Sequence, residues 1–231
     1  MKLLVSVRST QEAVAAMEGS ADVIDVKEPL RGALGRADDC IVEEIAKIVR
    51  PRKLLSAAMG ELKHWHNSFP SDRLLSYMKW GLSECEGGGW REMLLTLRRS
   101  TSSTVVPAAY ADAHLAGSPA IEEVADFVIE ERFPLMLIDT WTKNAGDLFS
   151  WLKPDSLMDL CKRLKLEGVK LAIAGSLTLE RLQFIRMMDV DVVGVRGAVC
   201  TANDRTGQVD ACRVKEFKAA LDSIEPETWM T

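Results

Sequence analysis

The sequence predicts an α/β protein, a single (β/α)8 TIM barrel over residues 1–231. Three observations point there. Short apolar runs recur at intervals of roughly 20 to 35 residues, helical patterns fall between them, and no Pro-, Gly- or Ser-rich linker interrupts the alternation. The length, 231 residues, is ordinary for one such barrel. A doubly wound open sheet is the alternative that the same alternation allows.

The apolar runs are Lys2–Val7, Asp22–Lys27, Lys53–Ala58, Tyr77–Gly81, Thr104–Ala109, Leu135–Asp139, Lys170–Gly175 and Asp191–Val195. Each is short and nearly continuous in Val, Leu, Ile and Ala, as parallel strands covered on both faces are. Helices are expected at Gln11–Gly19, Ile41–Val49, Ile121–Glu131, Asp155–Leu166, Thr178–Met188 and Val214–Ile224. The first carries Ala13, Val14 and Met17 at helical spacing and stops on glycine. Leu179, Leu182 and Ile185 give the fifth its inward face.

Composition narrows the function. Hydrophobic residues make up 47%, enough for a large core, and the formal net charge is −5. An acidic balance argues against a nucleic-acid partner, which needs a basic face for phosphate. The five cysteines, Cys40, Cys85, Cys161, Cys200 and Cys212, form no CxxC, so reduced thiols are expected. The apolar start at Met1–Val7 is cut short by Arg8, too early for a signal-peptide core. No run approaches the roughly 20 apolar residues of a membrane helix. A cytoplasmic location is the expectation. A homo-oligomer is an assembly the barrel surface leaves room for.

Barrels of this kind carry their chemistry at the C-terminal ends of the strands. The second run ends Asp25-Val26-Lys27. Side chains alternate along a strand, so Ile24 and Val26 face the helices while Asp25 and Lys27 point inward. Burying either is costly unless it is paired or functional. A desolvated lysine loses its proton more easily and becomes an amine nucleophile for carbonyls. A structural ion pair at the barrel mouth is the equally weighted alternative. Lys79 in the fourth run, and Asp139 with Lys143 after the sixth, converge on the same mouth. Neighbouring cations would depress a lysine's pKa further.

After the seventh run stands Ala174-Gly175-Ser176, and after the eighth Val195-Arg196-Gly197. Small residues there let backbone N–H groups approach a phosphate, and barrels often hold phosphate at these two loops. Ser176 adds a hydroxyl, and Arg196 offers a guanidinium fork. Tight turns that merely need glycine are the alternative. His64-Trp65-His66 resembles a metal pair but lacks a third ligand, so a solvated loop is favoured and no metal is expected. Gly87-Gly88-Gly89 lacks the lysine and hydroxyl of a nucleotide P-loop and reads as a flexible turn. Tyr110 and Asp112 could line the mouth, with Asp112 otherwise a helix N-cap.

Several longer segments carry a resemblance. Asp22-Val-Ile-Asp-Val-Lys-Glu-Pro29, Gly32-Ala-Leu-Gly35, Tyr110-Ala-Asp-Ala113, Ile138-Asp-Thr140 with Lys143, Ala174-Gly-Ser176, and Asp191-Val-Val-Gly-Val-Arg-Gly-Ala198 with Asp204-Arg205 are similar to the (5-formylfuran-3-yl)methyl phosphate synthase family of methanofuran biosynthesis. These segments run from near the start of the barrel to the stretch after its last strand. The resemblance implies a (β/α)8 barrel without a cofactor. It condenses two molecules of glyceraldehyde 3-phosphate, with loss of one phosphate and two waters. It puts the Schiff-base lysine on Lys27, the second catalytic lysine on Lys79, and the acid–base pair after strand six on Asp139 and Lys143, with Asp25 beside them. Ala109 departs from the glycine the family carries before the tyrosine, and residues 61–71 diverge from the archaeal members. A Schiff-base aldolase acting on another sugar phosphate, and a non-catalytic phosphate-binding barrel, are the competing readings.

Overall fold

The computed structural model describes residues 1–65 and 72–223. Strands β1 (Lys2–Val7), β2 (Val23–Val26), β3 (Leu54–Glu61), β4 (Tyr77–Gly81), β5 (Thr104–Tyr110), β6 (Leu135–Asp139), β7 (Lys170–Ile173) and β8 (Val192–Val195) pair in chain order and close on themselves. All pairings are parallel, and β1 meets β8 through Lys2↔Val192 to Val5↔Val195. This is the (β/α)8 barrel, not the open sheet.

Helices α1 (Thr10–Glu18), α2 (Asp39–Val49), α3 (Trp90–Ser100), α4 (Ala113–Ala116), α5 (Ile121–Glu130), α6 (Leu148–Trp151), α7 (Pro154–Leu166), α8 (Leu182–Ile185) and α9 (Ala211–Asp222) lie between and after the strands. Helix α1 starts where Ser9 accepts from Glu12 N while Glu12 Oε2 accepts from Arg8 N, a reciprocal cap of the helix start. Helix α3 is not among the expected helices. Its apolar residues Trp90, Leu94 and Leu97 do follow helical spacing, but Gly89 precedes it where a side-chain cap would announce a helix. The stretch Thr178–Met188 is not one helix either. A 3-10 turn at Leu179–Arg181 leads into the short α8, and Leu182 and Ile185 are buried as the pattern requires.

Alternation along the strands sorts two cores. Outward residues such as Ile24, Val26, Met78, Trp80, Met136, Ile138, Val193 and Val195 pack beneath the helices. Inward ones, including Ala58, Val106, Ala108, Tyr110, Leu137 and Ala172, form a smaller cluster inside the barrel. Many inward positions are small: Ser6, Ser56, Ala172, Ala174 and Gly194. Instead of filling the barrel they leave a cavity of about 610 Å³, lined by residues from both ends of the strands.

Candidate active site

At the C-terminal ends of the strands the cavity is lined by Lys27, Lys79, Asp139 and Lys143. Lys27 is the first residue after β2, and its N–H donates to Val7 O, so the strand's alternation continues through it. Its amine lies 3.7 Å from Asp139 Oδ2, with the side chain 10% exposed. Burial holds the Lys27 amine down to about 7, and the charges of Lys143 and Lys79 add to that; Asp139 and Asp25 pull the other way.

Asp139 closes β6 and is buried. Burial alone would raise its carboxyl, but Lys143 and then Lys27 outweigh it and hold the group at about 2. Lys143 turns back from the following loop to reach Asp139 Oδ1 at 2.6 Å and Thr140 Oγ1 at 3.3 Å. Asp112 shapes that loop. It is fully buried and accepts from Trp141 N at 2.6 Å and Thr142 N at 2.7 Å. It stands at the start of α4 without capping it, so neither the mouth-lining nor the N-cap expectation describes its side chain.

Asp25 lies one layer down with no exposed surface. Its Oδ2 accepts from Lys79 Nζ at 2.6 Å and Ser6 Oγ at 2.8 Å. Its Oδ1 and the neighbouring Ser56 Oγ are buried without a hydrogen-bond partner among the described residues. Ser6, Asp25 and Ser56 stand side by side in the register of β1, β2 and β3. The serines escape notice in sequence because an isolated serine in a strand has no signature; only the strand register reveals them.

Gly175 has φ +107 and Ser176 φ +51, so the chain turns through the left-handed region directly after β7. A Cβ on Gly175 would stand 2.9 Å from Thr140 Cγ2, which explains the glycine by close approach as well. Gly197 opens a 3-10 turn after β8, and Gly175, Ser176 and Gly197 line one wall of the cavity.

Arg196 departs from expectation. Its Nε donates to Arg205 O, Nη1 to Ser6 O and Glu12 Oε2, and Nη2 to Glu12 Oε1 and Gly207 O. All five N–H groups of the guanidinium are thereby committed, and no fork remains for a phosphate. Arg196 fixes the 205–207 segment instead. Glu12, its partner, is 4% exposed; burial alone would raise its carboxyl, but Arg196 holds it below its usual range. Arg205, on the segment that Arg196 fixes, lines the cavity beside it.

Glu61, at the last position of β3, accepts from Tyr110 Oη at 2.7 Å and Ser83 N at 3.0 Å. This ties β3 and β5 together across the mouth. Tyr110 is fully buried, and burial and Glu61 push its phenol well above its ordinary range. Glu61 lies beyond the expected end of β3. His64 is exposed on a short 3-10 turn, and His66 lies outside the described residues.

A family model described as 4-HFC-P synthase matches residues 3–218. The chain belongs to this family. The (5-formylfuran-3-yl)methyl phosphate synthase of Methanothermobacter thermautotrophicus is 30% identical over 236 residues, covering 97% of this chain and all of that one. The protein of the same name from Methanopyrus kandleri is 31% identical, with 95% and 98% covered. Among solved structures, phosphoribosyl anthranilate isomerase from Thermotoga maritima matches with a TM-score of 0.68 at 14% identity, over 96% of this chain and 99% of that one. The 3-hexulose-6-phosphate synthase of Salmonella typhimurium matches with 0.65 at 18% identity, over 97% and 100%. Those two likenesses speak to the fold alone.

Proposed function

We propose that this member of the 4-HFC-P synthase family condenses two molecules of glyceraldehyde 3-phosphate to (5-formylfuran-3-yl)methyl phosphate, through a Schiff base on Lys27, for methanofuran or an analogue. The observation that carries the reading is one amine, buried at the mouth of the barrel cavity, held near 7 and 3.7 Å from Asp139. A lysine that is half neutral at physiological pH can attack a carbonyl, and Asp139 can stabilise the iminium that follows.

Lys27 adds to the carbonyl of one triose phosphate and water leaves. The iminium draws electrons from the neighbouring carbon and acidifies its C–H. Lys79, hydrogen-bonded to Asp25, or an aspartate takes that proton. The enamine then attacks the aldehyde of the second molecule. Ring closure and elimination release one phosphate, hydrolysis of the iminium returns the aldehyde and frees Lys27, and the net loss is one phosphate and two waters. Lys143 assists the departing phosphate, and the wall of Gly175, Ser176 and Gly197 holds the retained one. Arg196 has no part in that contact.

Borohydride added with glyceraldehyde 3-phosphate should leave one reduced adduct, mapped to Lys27 by peptide mass spectrometry, with a near-ultraviolet-absorbing product in its absence. An adduct on another residue, or none in an active preparation, sinks the assignment. A Schiff-base aldolase would trap at Lys27 yet give no absorbing product.

A further inference from the structure

Arg205 sits on the loop that Arg196 fixes, half-buried, with its side chain lining the cavity. Its Nη2 donates to Pro29 O at 3.0 Å and Gly32 O at 3.2 Å. Both carbonyls belong to the loop that leaves β2 just after Lys27. The Nε and Nη1 hydrogens meet no acceptor among the described residues. Asp139, Asp204 and Glu28 act on the guanidinium only at a distance, with neither a hydrogen bond nor an ion-pair contact among the described residues. A half-buried cation with open donors is costly unless an anion completes it. The open edge shares its cavity with Ser176, Gly197 and Asn203, and Gly197 lies against Arg205 closely enough that an added Cβ would stand 3.7 Å from Arg205 N.

We infer that Arg205 is the arginine that grips a substrate phosphate in this cavity, while its other edge straps the β8 loop to the loop behind Lys27. The inference rests on the proposed reading of the cavity as a sugar-phosphate site. The division of labour follows from the donors. Arg196 has none left and places the loop; Arg205 has three left and meets the ligand. A phosphate reaching the open Nε or Nη1 hydrogens would be held by charge-assisted bonds.

The test uses inorganic phosphate and the full chain. Isothermal calorimetry should show phosphate binding to the wild type, weaker by on the order of 10- to 100-fold in Arg205→Met. Arg205→Lys should fall between them, since the charge stays and the guanidinium donors are lost. Equal affinity in Arg205→Met, or no phosphate binding by the wild type, overturns the inference. Should Arg205→Met fail to fold, the wild type decides: phosphate must slow phenylglyoxal modification of Arg205, mapped by peptide mass spectrometry, and an unprotected Arg205 overturns the inference equally. Neither measurement needs turnover of glyceraldehyde 3-phosphate. A missing Lys27 adduct would sink the proposed reaction and leave this result standing.

Discussion

At the scale of single residues, Lys27 sets the pH behaviour. Only the neutral amine attacks a carbonyl, so the rate of borohydride-trapped adduct formation should climb about tenfold per pH unit in acid and level off above a midpoint near 7. Asp139 favours the charged form of Lys27, so Asp139→Asn should move that midpoint lower; a shift upward contradicts the arrangement described. The same lysine weakens the fold. Its ordinary pKa of 10.5 in the unfolded chain falls to about 7 in the native one. Between those values the unfolded state holds a proton the native state has released, so stability rises with pH across that window and is least below it. Lys27→Met should therefore abolish adduct formation and raise stability at pH 7 by roughly 1–3 kcal/mol in urea titrations, the gain limited because Asp139 loses a partner. Asp139 works oppositely. Its pKa falls from 3.8 to about 2, so its contribution is present above 3.8 and is lost as pH drops through 2. Lys27 and Asp139 were legible in the sequence because a charged residue closing an apolar strand breaks the pattern. Ser56 and Glu61 were not, since their roles depend on what the neighbouring strands set beside them.

At the scale of elements, strand ends and their loops are held by contacts between segments far apart in sequence. Gly81 ends β4 where Glu61 and Tyr110 meet. A Cβ there would lie 2.2 Å from Glu61 Oε2 and 2.3 Å from Tyr110 Oη, so Gly81→Ala should cost more than about 2 kcal/mol, read as a fall in urea midpoint. Arg196 joins β8, β1, α1 and the 205–207 segment. Glu12→Ala would leave that guanidinium buried with its charge unmatched, and a loss of about 3–5 kcal/mol is expected in the same titration. The arginine after strand eight was visible in the sequence, but its meaning was not. The pattern Val195-Arg196-Gly197 is equally consistent with a phosphate fork and a buried clamp, and the carboxylate of Glu12, 184 residues away, selects the clamp. Helix α3 was missed for a local reason, a glycine where a capping side chain would stand. The break in Thr178–Met188 was missed because apolar spacing alone does not distinguish a 3-10 turn from an α-helix.

For the whole molecule, charge is distributed unevenly. The chain carries a formal net charge of −5, yet Lys27, Lys79, Lys143 and Arg205 face one cavity with Asp139 in its lining and Asp25 buried behind Lys79. A phosphorylated substrate should be drawn to that mouth, so its KM should rise several-fold between about 20 and 300 mM NaCl while kcat changes little. A KM indifferent to salt would argue that these cations are fully neutralised by their partners. Among the described residues no helix is long and apolar enough to cross a membrane.

The sequence by itself determined the alternation of buried strands with amphipathic helices, because parallel strands need both faces covered; closure into a barrel rather than an open sheet came from the tertiary structure. It also determined the inward pair Asp25 and Lys27, because strand alternation leaves no choice of side. Only the tertiary structure decided the partners: Lys79 for Asp25, Asp139 between Lys27 and Lys143, and Glu12 for Arg196. Those pairings depend on barrel closure, which brings strand ends from distant parts of the chain within hydrogen-bond reach. Burial then turns the pairings into shifted pKa values and committed donors, and neither can be read from spacing along a chain.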